Sequence, residues 1–144
     1  MTAPAALYLD TSAILRALLE SGTTPEIEQQ IATATVLLTS RLSQVEAARA
    51  LLRLRALHTV SEAKLADARR DLNRLWRRCD VWELSPAVCR LAAEVAPGEG
   101  LRTLDALHLT TYVLARERIA GLELLTADER LRDAASEEPP DSMR

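Results

Sequence analysis

Four acidic residues in this chain have the types and positions of a metal site. Asp10 ends the apolar run in LYLDTSAIL, and Asp128 follows the apolar run in LLTADERL, while Glu46 and Asp105 stand among leucines in predicted helices. If the fold brings the four together, each pair of like charges at roughly 5 Å repels by on the order of 3 kcal/mol at an effective dielectric of ~20. The cluster therefore requires protons or a divalent cation. Oxygen-only ligands favour Mg²⁺, for which Mn²⁺ can substitute.

Three of these acids also have an ordinary structural explanation. Asp10 and Asp128 can each be the N-cap of the helix that follows, a role that aspartate fills well. Glu46 stands three residues after Ser43 in a capping-box pattern and three residues before Arg49 on a helix surface. Taken singly, the structural and the functional interpretations of these three residues both remain open.

Asp105 is harder to explain by structure alone. Leucines and His108 surround it on the helix face that is predicted to meet the sheet; the leucines are Leu101, Leu104 and Leu107. No lysine or arginine follows at i+3 or i+4 to offset a buried charge, which costs several kcal/mol without a partner. Because His58 is the only other histidine, a zinc site lacks ligands, and His108 is predicted to be a core residue or the partner of a metal ligand.

Short apolar runs alternate with helical patterns, which predicts an α/β domain with a mostly parallel sheet. The predicted strands cover 7–9, 35–38, 81–84 and 122–125. Predicted helices cover 11–20, a stretch that begins near 25, a stretch from 40 or 43 to 57, a stretch that Ser61 caps, 86–96 and 103–118. Asp10 and Asp128 then both lie where a crevice opens outside the carboxyl ends of parallel strands.

The composition indicates one folded domain, residues 1–135, and a disordered tail, residues 136–144, in which Met143 is the only apolar residue. The chain has no basic segment followed by an apolar signal sequence and no apolar run near 18 residues, so we expect a cytoplasmic protein without a membrane span. Cys79 and Cys89 lack the spacing of a redox or zinc motif. They are predicted to be two core thiols rather than a disulfide.

A net charge of −3 argues against binding of nucleic acid by bulk attraction alone. Arginines are nevertheless frequent between residues 41 and 78, and their planar guanidinium groups suit phosphate. The same arginines can simply form the solvated face of an amphipathic helix, and both interpretations stay open. Aromatic residues make up only 3% of the chain, which weakens any base-stacking platform.

Five segments together resemble the PIN domain, and more closely the VapC-type toxin ribonucleases of bacterial toxin–antitoxin pairs. They are LYLDTSAIL, SRLSQVEAARALLRLR, SPAVCRLAAEVA, LRTLDALHL and LLTADERL, and the resemblance covers residues 7–131. It implies a three-layer PIN-like α/β fold, with a central, mostly parallel sheet of four or five strands flanked by helices. The charged residues after Leu131 depart from the family pattern and leave the fifth strand open.

The resemblance also implies a function. Asp10, Glu46, Asp105 and Asp128 match the quartet that binds Mg²⁺ and catalyses RNA cleavage in these endoribonucleases, and Thr126 matches the hydroxyl residue before the last acid. The implied partners are an RNA substrate, a small VapB-like antitoxin and a second copy of the chain.

Five further residues are candidates for supporting roles. Thr11 and Thr126 are predicted to position water or a phosphate oxygen. Arg41, Arg49 and Arg53 are predicted to bind the RNA backbone near the site, although exposed helix arginines usually only face solvent.

Two other functions remain to be weighed. A phosphatase of the haloacid dehalogenase type also begins with a strand and an acidic turn, but it requires a second aspartate where Ser12 stands. A PIN-like interaction module without catalysis is the other alternative. The intact acidic quartet argues against it, because folding alone does not favour four mutually repelling groups.

Overall fold

A computed structural model of the protein describes residues 5–138, which form one parallel sheet and the helices around it. The strands are β1 (Ala6–Leu9), β2 (Val36–Ser40), β3 (Cys79–Trp82) and β4 (Leu122–Leu125). The helices are α1 (Thr11–Leu18), α2 (Pro25–Thr33), α3 (Arg41–Leu57), α4 (Glu62–Arg78), α5 (Pro86–Ala92), α6 (Thr103–Arg116) and α7 (Glu129–Glu137). The α/β fold class is confirmed.

The strand order β3-β2-β1-β4 places β1 in the interior of the sheet, and all neighbours are parallel. At the carboxyl end of β1, Leu9 pairs with Leu125 of β4, and the amide of Asp10 donates to the Leu125 carbonyl at 3.4 Å. The segments that follow β1 and β4 therefore lie side by side. This register brings the sequences that contain Asp10 and Asp128 together.

Both faces of the sheet are covered, as a parallel sheet requires. Successive side chains of a strand point to opposite faces, so Leu7 and Leu9 join one hydrophobic cluster and Tyr8 joins the other. Buried residues of α1 to α4 complete the first cluster, and buried residues of α6 and α7 complete the second. The result is the predicted three-layer arrangement, with β1 in contact with both cores.

Short polar side chains begin most of the helices, as the sequence predicted. Asp10, Ser61, Ser85 and Asp128 each accept a hydrogen bond from a backbone amide in the first turn of the helix that follows. These bonds satisfy donors that a helix start otherwise leaves unpaired.

The capping box predicted for Ser43 and Glu46 is wrong. Helix α3 begins earlier, at Arg41, and Ser40 is its N-cap. Ser43 is buried instead, and its hydroxyl accepts a hydrogen bond from Thr39 at 2.8 Å. Glu46 therefore has no role at the helix start, and its explanation as a capping residue is removed.

Other differences from the predicted elements concern boundaries. Helix α5 ends at Ala92 rather than at 96, and α6 ends at Arg116 rather than at 118. Residues 5–138 contain four strands. After β4 the chain forms helix α7 rather than the fifth strand that the resemblance left open. The helix extends two residues past the predicted domain end at 135, and residues 139–144 of the predicted tail lie outside the described region.

Both cysteines are free thiols, as predicted, but only one is even partly buried. Cys79 lies at the start of β3, where burial raises its pKa to about 11. Cys89 is exposed on α5, so its assignment to the core is wrong. Between residues 5 and 138, no helix combines the length and the apolar character needed to cross a membrane.

Candidate active site

Asp10 lies at the carboxyl end of β1 and is held by three hydrogen-bond donors. Its Oδ1 accepts from the Ala13 amide at 3.0 Å, and Ser12 donates to the carboxylate at 2.8 Å. Its Oδ2 accepts from the Thr126 hydroxyl at 2.7 Å. With 4% of its surface exposed, Asp10 is both a helix cap and a fixed carboxylate. The two interpretations left open by the sequence are therefore compatible.

The hydroxyls of Ser12 and Thr126 also connect the segments after β1 and β4. The Ser12 hydroxyl accepts from the Ala127 amide at 2.9 Å, and the Thr126 hydroxyl accepts from the Asp128 amide at 3.0 Å. Each hydroxyl thus donates to Asp10 and accepts from the TADE segment. Ser12, which stands where a phosphatase of the dehalogenase type needs an aspartate, is a structural link here.

Glu46 reaches the same crevice from α3. Its Oε1 accepts from the Thr11 hydroxyl at 2.6 Å and lies 2.7 Å from Nε2 of His108. His108 is buried on α6, and its Nδ1 lies 2.9 Å from the Tyr8 hydroxyl. This confirms the prediction that His108 is a core residue. It also contacts one of the candidate ligands.

Asp105 and Asp128 lie at the more open side of the crevice. Among residues 5–138, no side chain or amide donates a hydrogen bond to the Asp105 carboxylate. Leu104 beside it is 46% exposed, so the prediction that this leucine packs toward the sheet is wrong. Asp128 caps α7, with its Oδ1 accepting from the Arg130 and Leu131 amides at 2.9 and 3.3 Å.

The electrostatics differ among the acids. Burial raises the pKa of Asp10 despite the hydrogen bonds from Thr126 and Ala13. Burial also raises the pKa of Asp105, and the negative charge of Asp128 adds to this. For Glu46 the effect of burial is outweighed by the hydrogen bonds from His108 and Thr11, so its pKa is lowered. Without a cation, the site favours a proton on Asp10 and Asp105 more than an ordinary aspartate does.

All four predicted acids line one crevice of about 220 Å³, together with Thr11, Ser12, Leu15, Arg53 and His108. A larger cleft of about 1140 Å³ shares Glu46, Asp105 and Asp128 with it, and Arg102 and Arg130 line this cleft. The donor set is oxygen-only and includes a carboxylate without a hydrogen-bond partner, which suits Mg²⁺ or Mn²⁺. No three acids, histidines or cysteines of the described region stand close enough together to hold a metal ion without side-chain movement.

The three predicted arginines lie in different environments. Arg53 lines the crevice, and its charge lowers the pKa of Glu46. Arg41 is ion-paired with Glu83, and its Nη1 donates to Gln44 at 2.7 Å. Arg49 is exposed on α3 and lines neither of the two cavities. Arg41 and Arg49 therefore line neither cavity, and their predicted binding to the RNA backbone stays a prediction.

Sequence reasoning missed Arg102 and Arg130 in the cleft. Arg102 precedes Asp105 by three residues, and Arg130 follows Asp128 by two. Their proximity to candidate ligands in the sequence could have indicated them. Ser12 was missed as a partner of Asp10. It stands two residues after the acid, a spacing at which a serine hydroxyl can donate to the carboxylate that caps the helix.

Comparison with known proteins identifies the family. Residues 7–137 match the PIN domain. Ribonuclease VapC46 of Mycobacterium tuberculosis is 34% identical over 91% of this chain and 91% of its own length, and ribonuclease VapC45 of the same species is 31% identical over 90% and 88%.

Solved structures agree with this fold. The crystal structure of PAE2754 from Pyrobaculum aerophilum superimposes with a TM-score of 0.61 at 26% identity, covering 90% of this chain and 79% of that one. A toxin–antitoxin complex from Klebsiella pneumoniae gives a TM-score of 0.58 at 22% identity, covering 86% and 87%, and supports the fold alone. Because the family match and these relatives span nearly the whole chain, the protein belongs to the PIN-domain family and, within it, groups with the VapC ribonucleases.

Proposed function

We propose that the protein is a Mg²⁺-dependent endoribonuclease and the toxin of a toxin–antitoxin pair. One observation carries the proposal: four carboxylates from four separate segments line one crevice, and one of them, Asp105, has no hydrogen-bond donor among the described residues. Folding alone does not explain such an arrangement. The relatives that bear the name ribonuclease match about nine-tenths of the chain.

In the proposed site, Asp10, Glu46, Asp105 and Asp128 would hold the cation. A bound divalent cation supplies positive charge that neutralises the scissile phosphate and the leaving oxygen, and it lowers the pKa of a water molecule. Asp10 is kept in place by its donors before any ligand arrives, so little movement is needed there. Asp105 and Asp128 would move toward the cation from the open side of the crevice. The metal count is one or two.

The RNA substrate would lie in the larger cleft. Arg102 and Arg130 line it beside the candidate ligands, and guanidinium groups bind phosphate oxygens through two parallel hydrogen bonds. A negatively charged protein can thus bind an RNA backbone locally while the acids keep the cation. Thr11 already donates to Glu46, so its proposed role is to orient that ligand rather than to contact phosphate.

A small VapB-like antitoxin is the proposed partner, and the proposed assembly contains two copies of the toxin. A groove of about 310 Å³ lies between α3 and α4 and is lined in part by Leu51, Leu52 and Trp76. Such a groove suits the apolar face of an amphipathic helix. An arginine from the antitoxin could then enter the carboxylate cluster in place of the cation and keep the enzyme inactive.

The test is incubation of purified protein with total RNA in Mg²⁺, in Mn²⁺ and in chelator, followed by sequencing of the new RNA ends. Cleavage that requires the cation and disappears in Asp105→Asn supports the proposal. Cleavage by the chelated protein, or by Asp105→Asn at the parent rate, contradicts it.

The toxin part has a separate test. Expression of the chain alone should stop bacterial growth, and co-expression of the neighbouring small gene should restore growth and yield a complex that co-purifies. Normal growth together with cation-dependent cleavage in vitro would show a PIN ribonuclease with another role.

A further inference from the structure

A chain of buried hydrogen bonds runs from the centre of the sheet into the crevice. Tyr8 of β1 has no exposed surface, and its hydroxyl lies 2.9 Å from Nδ1 of His108. His108 is 3% exposed, and its Nε2 lies 2.7 Å from Oε1 of Glu46. Three residues from β1, α6 and α3, which are far apart in sequence, are thereby connected. Glu46 and His108 line the crevice, whereas Tyr8 does not.

The carboxylate fixes the direction of the inner bond. An ionised carboxylate only accepts hydrogen bonds, so Nε2 of His108 must carry the hydrogen that Glu46 receives. The Tyr8 hydroxyl can either donate to Nδ1 or accept from it, and in both cases it holds the imidazole ring in the orientation that points Nε2 at Glu46.

The consequence falls on Glu46. Its Oε1 receives two hydrogen bonds, from His108 and from Thr11 at 2.6 Å, whereas no described residue donates to its Oε2. A free glutamate side chain loses rotamer entropy when it is fixed. Here the fold fixes the side chain in advance, with one oxygen occupied and one available.

We propose that Tyr8 and His108 are positioning residues that hold Glu46 so that it offers Oε2 alone to the cation. The proposal rests on the function proposed above. It assigns roles to two residues that lie outside the acidic quartet and touch neither cation nor RNA. Their contribution is the orientation of one ligand.

The first measurement uses the metal-free protein and needs no activity. A long-range ¹H–¹⁵N spectrum of the imidazole nitrogens should show hydrogen on Nε2 of His108. Tyr8→Phe removes the hydrogen-bond partner of Nδ1 and should shift the Nδ1 resonance of His108. Tyr112→Phe is the matched control, because Tyr112 packs 6.1 Å from the Tyr8 ring and its hydroxyl instead donates to the Leu122 carbonyl at 3.3 Å.

The second measurement is calorimetric titration with Mn²⁺. Loss of a group that orients a metal ligand typically weakens binding by about 10-fold to 100-fold, which is the result expected for Tyr8→Phe and for His108→Leu. His108→Gln can place an amide N–H near the position of Nε2 and should recover much of the affinity. Tyr112→Phe should bind as the parent does. Melting curves of each metal-free variant check that it is folded.

The outcomes separate the two proposals. Parental Mn²⁺ affinity in both Tyr8→Phe and His108→Leu, or a His108 ring without hydrogen on Nε2, overturns the positioning role while leaving the ribonuclease proposal intact. A parent protein that neither binds Mn²⁺ nor cleaves RNA overturns both.

Discussion

The two halves of the carboxylate crevice are built differently. In the inner half, Asp10 and Glu46 receive hydrogen bonds from donors that the fold keeps in place. In the outer half, Asp105 receives none from the described residues, and Asp128 is engaged only by amides of its own helix. The fold holds the side chains of both inner acids, although Glu46 also lines the larger cleft. Both outer acids line that cleft.

The difference indicates which part of the site is prepared and which part waits for a ligand. Donors around a carboxylate fix its geometry before a cation binds, as preorganised sites require. Repulsion between Asp105 and Asp128 is uncompensated, and it raises the pKa of Asp105 in addition to the effect of burial. A cation would relieve this repulsion, so the outer half should respond most to its arrival.

The largest expected effect is on catalysis, where both halves are needed. Asp10→Asn and Asp105→Asn should each lower the rate of RNA cleavage by at least about 100-fold, the upper end of what loss of a ligand's supporting partner costs. Asp67→Asn is the control, since Asp67 is an exposed residue of α4 that pairs with Arg70. Single-turnover assays on one RNA check this. Cleavage by Asp10→Asn close to the parent rate would remove Asp10 from the site.

Stability should separate the two halves. Asp10→Ala removes a helix cap and leaves the buried Thr126 hydroxyl and the partly buried Ser12 hydroxyl without this acceptor, so it should destabilise the metal-free protein by about 1–2 kcal/mol. Asp105→Ala loses a favourable charge in the first turn of α6 but relieves repulsion, so the change should stay within about 1 kcal/mol. Urea unfolding measures both. Equal destabilisation would show that the halves do not differ.

Binding of a cation to Asp105 and Asp128, the outer half of the crevice, should stabilise the folded protein. At ten times the dissociation constant, mass action adds about 1.4 kcal/mol, which raises the melting temperature by roughly 3–6 °C for a domain of this size. Asp105→Asn should reduce or abolish the shift. Scanning calorimetry in Mg²⁺ and Mn²⁺ tests this. A full shift in Asp105→Asn would place the cation elsewhere.

The smallest expected effect is a pH dependence. Because the pKa values of Asp10 and Asp105 are raised, ionisation of either carboxyl costs the metal-free fold stability at neutral pH, and this cost fades as pH falls through the raised values toward 3.8. The lowered pKa of Glu46 acts oppositely: its contribution is present above 4.5 and is lost as pH falls through the lowered value.

Asp105→Asn isolates one of these contributions. Its unfolding free energy relative to the parent should be most favourable near neutral pH and should decline toward acid, within about 1 kcal/mol because Asp105 is partly exposed. Urea unfolding of both proteins across the pH range gives the difference. A difference independent of pH would show that Asp105 titrates as an ordinary aspartate.

The sequence predicted the hydrogen-bond partners in the inner half of the crevice less completely than it predicted local features. Strand ends and turn residues are local features, so β4 and the caps at Ser61 and Ser85 were predicted closely. The contact of His108 with Glu46 spans 62 positions and depends on how α3 and α6 pack across the sheet. Local patterns contain no information on such a distance.

Local patterns also misled where two signals competed. Ser43 and Glu46 have the spacing of a capping box, yet Ser40, the other helix start that the sequence allowed, caps α3 at the end of β2. The pairing of Arg41 with Glu83, which follows β3, was not predicted, and the proposed binding of Arg41 to an RNA backbone stays a prediction. In both cases only the folded sheet shows which residues are neighbours.

Anomalous diffraction from crystals of the metal-free protein soaked in Mn²⁺ tests directly whether the carboxylate crevice binds a cation. We expect a peak in the crevice, in contact with carboxylate oxygens of Asp10 and Asp105, with Asp10 unmoved and Asp105 displaced toward the peak. Occupied Mn²⁺ elsewhere and none in the crevice, at concentrations that support RNA cleavage, would contradict it.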